Sequence, residues 1–158
     1  MIFVLARAAT YSAVFIGLVL ILLPDRILSS TGIVRPRSIG LWQAGMLVGS
    51  CGALLVLACI LTFVFAGKGT PAPFDPPRRL VVRGPYRFVR NPMYLGAGLV
   101  LTGAALSYQS IPLAAYAGAF LVIMHFLVIL YEEPTLRRTF ETDYAAYCGR
   151  TGRWWPKR

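Results

Sequence analysis

Residues 83–96 read RGPYRFVRNPMYLG, from Arg83 to Gly96, and they open an apolar run free of Asp, Glu, Lys and Arg until Glu132. About 41 residues lie between Arg90 and Glu132, which as one helix would extend about 60 Å. The hydrocarbon core of a bilayer is about 30 Å thick, so the run reads as two crossings rather than one. The polar, proline-containing stretch Ser107-Tyr108-Gln109-Ser110-Ile111-Pro112 is the natural place for the turn. A second polar knot, Tyr131-Glu132-Glu133-Pro134, closes the run. A hairpin returns the chain to its starting face, so the arginine loop and the paired glutamates are expected on the same side of the membrane.

Composition agrees. The 158 residues are 57% hydrophobic and only 14% charged, with a mean hydropathy of +0.64, where a soluble domain carries about 25% charge. The reading is a single integral-membrane domain. Residues 1–66 hold two N-terminal spans, 67–92 a polar loop, 93–131 the helical hairpin, and 132–158 the glutamate motif and tail. The net charge of +10 sits beside apolar spans. It points to topology signals and anionic headgroups rather than to nucleic acid. Cys51, Cys59 and Cys148 form no C-x-x-C pair and there is one histidine, so no metal site is expected. Arg7 precedes an apolar run ending in Pro24-Asp25-Arg26 rather than at a small-residue cleavage site, which reads as an anchor.

Along the chain, Ile2 to Leu23 and Ile39 to Ala66 are the first two spans, joined by a loop from Pro24 to Ser38. Gly45, Gly49 and Ala53 recur every four residues and predict a small-residue stripe for close helix packing. Pro71, Pro73, Pro76 and Pro77 keep the first half of the Gly67–Arg90 loop from being helical. Asn91–Ser107 and Pro112–Tyr131 are the hairpin arms. Thr135–Tyr147 predicts an interfacial helix, with Leu136, Phe140, Tyr144 and Tyr147 on one face. Trp154-Trp155-Pro156 fits an aromatic belt. The fold class is therefore all-α integral membrane, a bundle of about four transmembrane helices with a C-terminal interfacial amphipathic helix. Thirteen cations fall on the side holding both termini and the central loop, against three opposite. That bias predicts N-in and C-in topology with the site facing the cytoplasm.

Several residues are candidates for chemistry. Glu132 and Glu133 sit at the negative end of a membrane helix, where a carboxylate is disfavoured. Glu133 has a structural reading as a cap for the next helix paired with Arg137, whereas Glu132 has none. Arg83, Arg87 and Arg90 can all bind headgroup phosphates. Two X-Pro steps, Gly84-Pro85 and Asn91-Pro92, also hold the backbone open for a ligand. Gly96 and Gly98 allow close approach at the start of a helix whose N-terminus favours an anion. His125 lies seven residues before Glu132. It reads either as a functional group within the membrane or as one side of an interhelical hydrogen bond.

Leu80-Val81, Gly84-Pro85-Tyr86, Arg90-Asn91-Pro92-Met93-Tyr94, Tyr131-Glu132-Glu133-Pro134 and Phe140, Asp143-Tyr144, Tyr147 occur in that order. Taken together, the pattern resembles the integral-membrane methyltransferases. That group includes the isoprenylcysteine carboxyl methyltransferases and the phospholipid N-methyltransferases. The resemblance covers roughly 78–156; residues 1–66 are similar only in hydropathy. It implies S-adenosylmethionine as cofactor, bound by Leu80, Val81, Tyr86, Arg90, Asn91, Pro92, Met93, Tyr94 and Glu132. It also implies a lipophilic small-molecule or lipid acceptor reached from the bilayer. Glu132, Glu133 and His125 form the candidate catalytic set. The carboxyl methyltransferases read Arg-His-Pro where this chain has Arg90-Asn91-Pro92, and their substrate-side arginine falls on Val128. The second removes the expected partner for a prenylcysteine carboxylate, and Tyr131-Glu132-Glu133-Pro134 is more similar to the phospholipid branch, so a phospholipid amine is slightly favoured. The alternatives are the isoprenylcysteine-type activity, a non-catalytic membrane assembly or transport subunit, and a sterol-reducing type of reductase, for which no nicotinamide site is evident. The sequence leaves the acceptor and the oligomeric state open.

Overall fold

The computed structural model describes residue 10 and residues 13–32, 38–67 and 80–157. The expected start of the first span with Arg7, the cations Arg35 and Arg37, and the proline-rich half of the central loop with Arg78 and Arg79 lie outside the described residues.

Helix α1 runs Ala13–Thr31, α2 Ile39–Thr62, α3 Pro92–Tyr108, α4 Ile111–Leu127 and α5 Glu133–Arg150. A π turn, Val128–Glu132, joins α4 to α5, so the backbone stays helical between them. Among the described residues, three helical stretches are long and apolar enough to cross a membrane: 13–31, 39–65 and the one beginning at Ile111. Helix α3, with 17 residues, is about 25 Å long, at the lower end of the spanning range. The chain is an all-α membrane protein, and the predicted hairpin is α3–α4. Its turn falls where expected. Gln109 takes a left-handed φ of 50°, and Ser110 Oγ accepts from the Leu113 amide at 3.4 Å to start α4.

Two expectations about the course of single helices change. The first helix does not stop at Pro24 but continues to Thr31, ending at Gly32 with φ 66°. A π segment, Ile16–Leu22, lies directly ahead of the proline. Wider i→i+5 turns relax the clash and the missing donor that normally break a helix at proline. The single interfacial helix expected over 135–147 is in fact broken, because Glu141 has φ 35° and ψ −106° inside α5. Beyond the break, the last part of α5 lies against the central loop, where Tyr147 meets Tyr86 and Cys148 meets Arg90. Tyr144 and Tyr147 are buried there, while Leu136 and Phe140 are only half-buried.

Helix α3 is the centre of the bundle, packing along α2 on one side and α4 on the other. Ala97 and Leu101 meet Val56 of α2 and Ala117 and Phe120 of α4 in one core cluster. Helix α1 joins it through Phe15, whose ring lies 6.2 Å from that of Phe120, and through Tyr116, whose hydroxyl donates to the Val19 carbonyl at 3.0 Å.

The α2–α3 contact is made backbone to backbone. A Cβ on Gly103 would stand 2.5 Å from Gly49 N and 2.6 Å from Gly45 O, and one on Gly52 2.6 Å from Gly96 O. The seam is therefore Gly45, Gly49 and Gly52 against Gly96, Gly103 and Ser107. Ala53, expected in the stripe, is exposed instead. A seam advancing by four and then three residues stays on one face of a 3.6-residue helix, where steps of four drift off it.

Candidate functional site

The central loop is seated on the end of α2 at Gly84. Gly84 has φ 58°, and a side chain there would meet Thr62 Oγ1 at 2.5 Å, so both conformation and space call for glycine. It opens a short 3-10 turn, Gly84–Arg87, with Pro85 at the start. Tyr86 is buried with Cys59 and Val81, its ring edge-on to Phe63 at 5.1 Å. Leu80 is half-buried just ahead of them. Arg83 and Arg87 are exposed, Arg87 lying 4.5 Å over the Phe88 ring, as expected of headgroup-facing arginines.

Arg90 behaves differently. Its side chain is 12% exposed, its Nη1 donates to Cys148 Sγ at 2.6 Å, and its Nη2 lies 3.3 Å from Glu133 Oε1. Its amide donates to the Gly152 carbonyl at 2.8 Å. The Nε atom is buried without a hydrogen-bond partner among the described residues. Asn91 and Pro92 are buried where α3 begins, and Met93 packs against both core clusters.

The predicted convergence of loop and glutamates is present. The Tyr94 hydroxyl, one turn into α3, donates a short hydrogen bond to Glu132 Oε1. The two glutamates diverge in their partners. Glu133, just past the crossing, takes two hydrogen bonds from Arg153, Nε to Oε1 at 2.7 Å and Nη2 to Oε2 at 2.9 Å, in addition to Arg90. It is neither a helix cap nor paired chiefly with Arg137, because the helix is continuous through the π turn and leaves no cap to make. His125 and Glu132 have different partners. Trp154 Nε1 donates to His125 Nδ1 at 3.1 Å, and the two rings stack 6.0 Å apart.

Burial alone would raise the Glu133 carboxyl. The Arg153 hydrogen bonds and the charges of Arg90, Arg153 and Arg137 outweigh it and hold the group below its ordinary 4.5. Burial pushes the phenols of Tyr144 and Tyr147 above their usual range, so both stay neutral. A depressed carboxyl stabilises the fold fully above its unfolded value and loses that contribution as pH falls through the folded one. As pH is lowered from about 7 through 4.5 and below, wild type should therefore keep its stability advantage over Glu133→Gln in thermal unfolding down to about 4.5 and then lose it progressively. A constant difference across that range contradicts the ionised clasp.

The tail completes the site, and sequence reasoning missed it. The Tyr147 hydroxyl donates to the Tyr86 carbonyl at 2.6 Å, Gly152 pairs with Val89 in an isolated parallel bridge, and Asn91 Nδ2 donates to the Arg153 carbonyl at 3.2 Å. Of the expected belt residues, Trp155 is exposed but Trp154 is half-buried against His125. Arg153 read as one more cation of a basic tail, and nothing local marked it. The structure thus gathers Arg90, Asn91, Tyr94, Glu132 and Glu133 at one end of the hairpin. Leu80, Val81 and Tyr86 lie on the adjoining end of α2, and His125 is engaged by the tail.

Ionisable side chains held at one end of an apolar helical hairpin are the mark of an integral-membrane protein. The family model described as phospholipid methyltransferase matches residues 41–143, well over half of the chain, and the chain belongs to that family. It is an enzyme, a membrane methyltransferase. The match takes in the glycine seam, the loop, Tyr94 and both glutamates, and ends before Tyr144. No curated protein and no solved structure matched the chain.

Proposed function

We propose that this enzyme uses S-adenosylmethionine to methylate the amine of a membrane phospholipid, at a site formed by Arg90–Tyr94 and Glu132. The observation that carries the reading is the Tyr94–Glu132 hydrogen bond, which brings the two halves of the family pattern together across the hairpin. The donor set fits the cofactor. Glu132 offers a carboxylate for an ammonium or ribose hydroxyls, and Arg90 offers a buried Nε–H without a partner among the described residues for a carboxylate. The α3 N-terminus adds its own preference for an anion. When bound, the cofactor supplies an electrophilic methyl group on a sulfonium.

The chain's own work is then positioning. Tyr94 fixes the Glu132 carboxylate, and the apolar walls keep water away while the amine is held in line. Val128, where a prenylcysteine enzyme would place an arginine, is completely buried. A carboxylate acceptor would meet no cation there and would carry an uncompensated desolvation cost. Glu133, tied to two arginines, is a poor proton acceptor, and Nδ1 of His125 is occupied by Trp154.

Calorimetric titration in detergent tests the cofactor assignment. Heat is expected with S-adenosylmethionine and none with NADPH, and the reverse would favour a reductase.

The site faces the cytoplasm in this reading, with both termini on that side. A reporter fused after Arg158 should be cytoplasmic and a cysteine at Thr31 should label from outside. Labelling at Arg83 from outside inverts the arrangement.

A further inference from the structure

We infer that the C-terminal segment Thr151–Trp154 is a wall of the cofactor site, and that Arg153 is the positioning residue that sets it; this rests on the cofactor reading above. Three successive residues of the segment each hold a different part of the site. The Gly152 carbonyl accepts from the Arg90 amide at 2.8 Å. Arg153 reaches both oxygens of Glu133, at 2.7 and 2.9 Å, while its own carbonyl accepts from Asn91 at 3.2 Å. Trp154 donates to His125 at 3.1 Å. The partners flank the proposed ligand groups in sequence. Arg90 and Asn91 lead into Tyr94, and Glu133 adjoins Glu132.

One side chain and its carbonyl thus fasten the loop to the glutamate turn. A bidentate guanidinium–carboxylate pair fixes the plane of Glu133 as well as its position, and through the backbone it fixes where Glu132 is presented. The turn carrying Arg153 is tight. A Cβ on Gly152 would overlap the Trp155 carbonyl oxygen and lie 3.1 Å from its carbon. The segment lies beyond the break at Glu141 in α5.

Arg153 is not a core residue, since its side chain is 33% exposed. The segment follows the last helix and lies beyond the residues matched by the family model. Losing its ties should therefore loosen the site locally rather than unfold the bundle.

The test compares wild type, Arg153→Ala, Arg153→Lys, Glu133→Gln and the Arg153→Ala/Glu133→Gln double variant, with Gly103→Ala as a control destabilised elsewhere. Each is titrated calorimetrically with S-adenosylhomocysteine and assayed for methyl transfer, and amide exchange is followed over 90–94. Arg153→Ala should bind between about tenfold and about a hundredfold more weakly, the scale of losing an outer partner that orients a ligand-holding group. Its loss should appear in cofactor KM more than in kcat, with faster exchange at 90–94. Arg153→Lys should fall between it and wild type, and the double variant should be no weaker than the worse single, as for two ends of one contact.

Equal binding by wild type and Arg153→Ala overturns the inference and leaves the cofactor reading standing. A loss that tracks melting temperature and is matched by Gly103→Ala also overturns it, by making Arg153 merely structural. Wild type that binds no S-adenosylhomocysteine overturns the cofactor reading itself.

Discussion

Glu132→Gln should weaken S-adenosylmethionine binding by about 1.5–3 kcal/mol, the scale of a charge-assisted hydrogen bond, while leaving the melting temperature unchanged or raised. The substitution keeps the shape of the side chain and an acceptor for Tyr94 but removes the charge. Any loss of affinity then reports on the ligand and not on the hairpin. Tyr94→Phe should give a smaller loss, because it frees the carboxylate to turn without removing it. Glu133→Gln should differ in kind, lowering stability as well as affinity, since its carboxylate is committed to Arg90 and Arg153. Calorimetry and thermal unfolding on the same preparations separate these outcomes. Equal affinity in wild type and Glu132→Gln removes Glu132 from the site.

Gly103→Leu should prevent stable folding, and Gly103→Ala should cost about 1–3 kcal/mol, the usual range for overpacking. The added atoms would meet Gly49 N and Gly45 O, which belong to the backbone of a neighbouring helix and cannot move aside as a side chain can. The seam is asymmetric, which supplies a control. A Cβ on Gly49 would lie 3.9 Å from Gly103 Cα, an ordinary contact. Gly49→Ala should be tolerated and even gain a little from helix propensity. Thermal unfolding in detergent reads both. Gly49→Ala proving more damaging than Gly103→Ala contradicts the packing described.

The hairpin and the meeting of its two polar ends were legible in the sequence because charge is costly inside a bilayer. A run that excludes charge between Arg90 and Glu132 and is too long for one crossing has to turn back. The expected turn matches the break between Tyr108 and Ile111. What the sequence concealed depends on local departures from regular helix. Pro24 is carried inside α1 by the π segment before it, and periodicity alone does not announce such a segment. Gly52 replaces Ala53 in the seam because packing follows the true helical repeat and not the nearest pattern of four. The partners of Glu133 were out of reach for a different reason. Arg153 lies twenty residues away, beyond a break at Glu141, a residue without glycine-like freedom that takes a positive φ. Local rules place Arg137 beside Glu133; tertiary return places Arg153 there. In the same way Trp154 read as an interfacial anchor until the returning tail set its indole against His125.

The most direct measurement is transfer of labelled methyl from S-adenosylmethionine to two acceptors presented in the same detergent to the purified enzyme. The acceptors are phosphatidylethanolamine and a farnesylcysteine analogue. An amine can attack as the neutral species, whereas Val128, at the position of the prenylcysteine enzymes' arginine, offers no cation to offset the desolvation of a carboxylate. Faster labelling of phosphatidylethanolamine, abolished or much reduced in Glu132→Gln, is the predicted result. Faster labelling of the farnesylcysteine analogue contradicts the choice of acceptor, and labelling of neither contradicts the proposed reaction.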